Sequence, residues 1–163
     1  METPTKQNSL YLPIKQVYFD QIIAGTKTEE YREITENTYK KYLDCDENGN
    51  PYFDSETYKE EDLEFYNTLE DILRACKDGQ FPFFFREDIK FLNLAVGYNK
   101  VRDTATVEVK SITPMIGKNP KGQELRFDFG DDGKPVMNPK GAFCIWQAVF
   151  HLGAVVEKNI VSK

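Results

Sequence analysis

Three charged side chains at close spacing could do chemistry in this chain: Lys27, Glu30 and Arg32. In an extended strand, residues 28, 30 and 32 point to one face and residues 27, 29 and 31 to the other. Glu30 and Arg32 are then neighbours on one side. A carboxylate can orient a guanidinium and leave its remaining donors for a phosphate or a base edge. Lys27 falls just past a predicted helix end, where a bend can aim its ammonium towards the same cleft. A lysine of lowered pKa beside a carboxylate can take part in proton transfer. The spacing alone is equally that of a surface ion pair between Glu30 and Arg32 with Lys27 in solvent. Tyr98 offers a stacking face, because its neighbour Gly97 lets a ligand approach the backbone, although a tyrosine beside a bulge can also be core. Lys15 starts a predicted helix and could reach the cleft or remain solvated.

Other reactive side chains read as structural. His151 is the one histidine and a natural general base, but it lies on the mixed face of a predicted strand and far along the chain from Lys27. Cys76 and Cys144 fall on apolar faces and read as core. Asp44, Asp46, Glu47 and Asn48 crowd before Gly49, but their spacing is not that of a calcium loop and they read as a turn. The acidic run Glu60, Glu61, Asp62, Glu64 reads as the solvated start of a helix.

Elements to position these residues can be read from periodicity. Residues 10–14 form a short strand whose Pro13 suits an edge. A helix follows over 15–24, with Phe19, Ile22 and Ile23 at helical spacing and Gly25 as a left-handed cap. A second strand covers 27–34. Tyr39, Tyr42 and Leu43 fit one short helical face. A longer helix is predicted over 57–77, where Leu63, Tyr66, Leu69, Leu73 and Cys76 form an apolar stripe and Thr57 and Glu60 have capping-box spacing. Ala105, Val107 and Val109 alternate with polar residues as in a half-buried strand. Leu125–Phe129 and Lys134–Met137 suggest the arms of a hairpin, and 142–152 a final strand.

The chain has 163 residues, which fits one domain, 1–163. Its net charge of −6 argues against tracking along duplex DNA or an anionic membrane surface. Three cysteines, an odd number, make a disulfide framework or zinc site improbable and a reducing cytoplasm the simpler setting. The polar stretch from Met1 to Ser9 lacks the apolar region of a signal peptide. No metal or cofactor is expected.

The segment from Ile14 to Glu33 resembles the ASCH signature, in which a strand and short helix lead into a Gly-x-Lys-x-x-Glu-x-Arg run, here Gly25, Lys27, Glu30 and Arg32. Gly97-Tyr98 with 104–112, and the run 143–150 leading into Leu152-Gly153, resemble later strands of that family. The resemblance implies an α+β fold: a small PUA-like β-barrel with flanking helices and, in this chain, a helical insertion at about 40–85. It also implies RNA or a nucleotide-like ligand bound in a cleft, with Lys27, Glu30, Arg32, Tyr98 and Lys15 as candidate contacts. One branch of the family deacetylates N4-acetylcytidine. Its lysine and arginine correspond to Lys27 and Arg32, so Lys27 would be catalytic in a small amidohydrolase acting on an acylated nucleoside; Glu30 stands where that branch has threonine. That difference favours a Glu30–Arg32 clamp that holds a ligand. A third reading is a protein-partner adaptor working through the insertion.

Overall fold

The computed structural model describes residues 2–35, 37–54, 56 and 80–162. The helix predicted over 57–77, with Cys76 on its stripe, lies outside the described residues, as does much of the predicted insertion. In chain order the elements are β1 (Ser9–Ile14), α1 (Gln16–Ile23), β2 (Glu29–Glu33), α2 (Tyr39–Tyr42), β3 (Phe91–Val96), β4 (Thr104–Ile116), β5 (Arg126–Phe129), β6 (Pro135–Met137), β7 (Phe143–Cys144) and β8 (Trp146–Asn159). Five strands form one sheet in the order β1-β3-β4-β8-β2, and three form another in the order β6-β5-β7. By contact density the chain forms two compact units. One comprises Met1–Tyr31, Glu87–Thr113 and Val149–Lys163; the other comprises Arg32–Arg86 and Pro114–Ala148. β2, β4 and β8 each contribute residues to both.

The expected α+β barrel is not found. Among the described residues 45% are strand and 9% helix, and both sheets are open. The reason lies in lengths and edges. The two described helices have eight and four residues, too short to form flanking layers, whereas β4 and β8 have 13 and 14. Closure would require the two edge strands, β1 and β2, to pair. β1 carries Pro13, which has no N–H to donate, a residue that suits an edge.

In the first unit, apolar alternation makes the core. Ala105, Val107 and Val109 are buried between half-buried Thr104, Thr106 and Glu108. β3 buries Phe91, Leu92, Leu94 and Ala95, the near-continuous apolar run expected of a strand covered on both faces. β1 runs parallel to β3, with Ile14 opposite Val96, and β3 runs antiparallel to β4. α1 buries Phe19 and Ile22 on one stripe. It ends because Gly25 takes φ +80°, a conformation that glycine adopts without steric cost. The amides of Thr26 and Lys27 then both donate to the Gln21 carbonyl, at 3.0 and 3.1 Å.

One buried carboxylate ties three segments of this unit together. Asp103, only 2% exposed, accepts at Oδ1 from the amides of Val161 (2.7 Å) and Ser162 (2.8 Å). At Oδ2 it accepts from Gln16 Nε2 (2.9 Å) and from the Ser162 hydroxyl. The Ser162 hydroxyl first, then Gln16 and the two amides, hold this carboxyl well below the usual carboxylate range, against the opposing effect of burial.

In the second unit, Asp46 Oδ1 accepts from the amides of Asn48 and Asn50, so the acidic stretch before Gly49 is an Asx-type turn. Tyr42, which ends α2, and Leu43, which caps it, are buried. β5 pairs with β6 through Phe127 opposite Met137 and with β7 through Phe127 opposite Phe143. Phe127, Phe129 and Phe143 stack on one another with ring centroids 4.9 to 5.7 Å apart, the edge-to-face and tilted geometry that aromatic quadrupoles favour. Cys45 is half-buried and Cys144 is buried. Among the described residues no helix is long and apolar enough to cross a membrane.

Candidate functional site

The turn after α1 sets Lys27 where strand parity does not bind it. Its ammonium lies 3.6 Å from Glu30 Oε1, with the two side chains only 16% and 8% exposed. It also sits over the rings of Tyr18 (5.4 Å) and Tyr31 (5.1 Å). Each cation–π contact is worth ~0.5–2 kcal/mol, more as it is desolvated. Glu30 Oε1 further accepts from the Tyr31 amide at 3.0 Å. Lys27 and Glu30 thus meet as a mostly buried pair walled by two tyrosines. Arg32 is half-buried two residues further along β2.

The other two predicted residues stand elsewhere. Because Ile14 is opposite Val96 in parallel strands, Lys15 and Gly97 leave the sheet side by side. Lys15 is exposed at the start of α1. Tyr98 is 89% exposed on the β3–β4 turn, where Gly97 takes φ +68°. The sheet order puts this pair at the β1–β3 edge and Lys27, Glu30 and Arg32 at β2, the opposite edge strand. The five residues therefore form two groups.

The β1–β3 edge also carries a groove. Register sets Tyr11 opposite Asn93, and Asn93 opposite Thr106, so one polar row crosses three strands. Arg102 lies with its guanidinium 5.9 Å from the Tyr11 ring centre and donates from Nη1 to the Gly97 carbonyl at 2.9 Å. Thr106 donates to Asn93 Oδ1 at 3.0 Å, fixing that amide. With Glu157 and Lys158 from β8 these residues line a cavity of about 320 Å³. A half-exposed aromatic ring, two cations and several hydroxyl and amide groups suit a ligand with a planar ring and a negative charge. The sequence signal for this row was its outward parity, but that becomes a row only once the strand register is known.

β2 carries a second feature. Burial, followed by the Glu29 charge, raises the Tyr31 pKa, so the phenol stays protonated. Comparison with protein-family models, with curated proteins and with solved structures finds no match to this chain.

Proposed function

We propose that this chain is a binding domain for a small nucleotide-like ligand held in the groove across β1, β3 and β4. The observation that carries this reading is the Tyr11–Asn93–Thr106 row, with Arg102 and Lys158 beside it, around a cavity of about 320 Å³. A volume near ~300 Å³ is the lower end of the range for small-molecule sites. Arg102 and Lys158 would take a phosphate, the Tyr11 ring a base, and Glu157 a sugar hydroxyl or exocyclic amine. Exposed Tyr98 on the adjoining turn would add a second stacking face. The resemblance of 25–32 to the ASCH signature supports the same ligand class. The net charge of −6 favours a mononucleotide or a single-stranded end over a duplex. The odd number of cysteines, three, supports a reducing, cytoplasmic setting.

Calorimetric titration with nucleoside monophosphates and short single-stranded RNA tests the reading. Arg102→Ala removes a charge-assisted contact worth ~1.5–3 kcal/mol, so binding should weaken by roughly 10- to 100-fold. If Lys27→Ala abolishes binding and Arg102→Ala leaves it intact, the ligand belongs at β2. Absence of binding by every nucleotide and RNA removes the proposal.

A further inference from the structure

Three side chains on adjacent strands form a second constellation in the first unit, apart from the groove. β4, β8 and β2 are successive neighbours in the sheet, and they contribute Thr113, His151 and Glu29 respectively. Thr113 Oγ1 lies 2.7 Å from His151 Nε2. His151 Nδ1 lies 3.5 Å from Glu29 Oε2. In the tautomer that carries its proton on Nδ1, the nitrogen facing Glu29, Nε2 presents a lone pair and the Thr113 hydroxyl donates to it. In that tautomer hydroxyl, imidazole and carboxylate stand in the order that activates an oxygen nucleophile. Thr113 is exposed, and His151 and Glu29 are partly exposed, so an ester can reach the hydroxyl from solvent.

We propose that Thr113, His151 and Glu29 form an acyl-transfer centre for small activated esters, with Thr113 as nucleophile, His151 as general base and Glu29 as the residue that positions the imidazole. Thr113 Oγ1 attacks the ester carbonyl carbon while its proton passes to His151 Nε2. The bond to the leaving alcohol breaks, and that oxygen takes the proton from the imidazolium. Water, deprotonated by His151, then attacks the acyl-threonine ester, releasing the carboxylic acid and restoring the Thr113 hydroxyl. The proposal stands on these three side chains and does not depend on the nucleotide groove.

The test is incubation of the full chain with p-nitrophenyl acetate in nucleotide-free buffer, following nitrophenol release and mapping acetylated peptides by mass spectrometry. The acetyl group should map to Thr113 in the wild type, and to the replacing serine in Thr113→Ser, which preserves the hydroxyl. Thr113→Val should lose it. His151→Gln should slow acylation by ~100-fold or more, the lower range for general base catalysis. Glu29→Gln should slow the acylation step without changing the half-saturating ester concentration, and Glu29→Asp should restore much of the rate. Acetyl groups on lysines alone, or a Thr113→Val protein as fast as wild type, would overturn it.

Discussion

Gly141→Ala is expected to destabilise the second unit by ~3 kcal/mol or more, at the upper end of overpacking costs. An added Cβ would lie against the backbone of Phe127, 2.5 Å from its carbonyl carbon and 2.8 Å from its nitrogen, and inside contact distance of its carbonyl oxygen. That backbone cannot yield cheaply. Phe127 is paired on one side with Met137 and on the other with Phe143, and its ring is packed against Phe129 and Phe143. Gly153→Ala makes the informative control. There the added Cβ meets the Glu108 side chain, whose carboxylate can rotate towards water, so the cost should stay within ~1 kcal/mol. Urea unfolding of both variants checks the pair. A Gly141→Ala midpoint equal to wild type would show that β5 moves freely.

Asp103→Asn is expected to release the segment at 161–162. The carboxylate uses both oxygens as acceptors for four donors. An asparagine keeps one acceptor oxygen and turns an N–H₂ towards donors, on whichever side it faces. Exchange of the Val161 and Ser162 amides with deuterated solvent should accelerate by at least ~10-fold, the scale expected from losing one hydrogen bond to a charged group. Unchanged protection would mean that other contacts hold the segment. The pH dependence has a defined sign. The folded carboxyl titrates below its ordinary value of 3.8. Its contribution is therefore fully present above that pH and is lost as pH falls towards the folded value. The segment should stay docked at about pH 5 and undock only in strong acid.

Short-range physics made much of this fold legible. Periodicity places α1 within a residue of Gln16–Ile23 and the buried face of β4 at Ala105, Val107 and Val109. The hairpin arms and the cap at Gly25 follow from turn chemistry. Illegible parts depend on partners distant in sequence. The predicted strand over 142–152 is broken at Ile145, whose amide donates to the Leu125 carbonyl and whose carbonyl accepts from Gly117. It also runs past Gly153, which reads as a breaker but fits beneath the Glu108 side chain. The barrel expectation came from the element order as well as from the resemblance, and the edge strands did not honour it. At the candidate site, parity separates residues 29 and 31 from 30, and the bend read just past the helix end is what brings Lys27, which precedes β2, to Glu30. Thr113, His151 and Glu29 fall far apart in the chain, and only the β4-β8-β2 order brings them together.

That strand order also bears on how the chain must be made. β2 is an edge strand whose neighbour in the sheet is β8, near the far end of the sequence. At ~5–20 residues per second, β2 waits on the order of ten seconds after leaving the ribosome before β8 exists. During that wait its backbone is an open template for another nascent chain. The run Glu29, Glu30, Arg32, Glu33 places charge at four of the five positions of β2, which opposes such mispairing. The residues that first suggested a binding site therefore carry a second duty, guarding an unfinished sheet during synthesis.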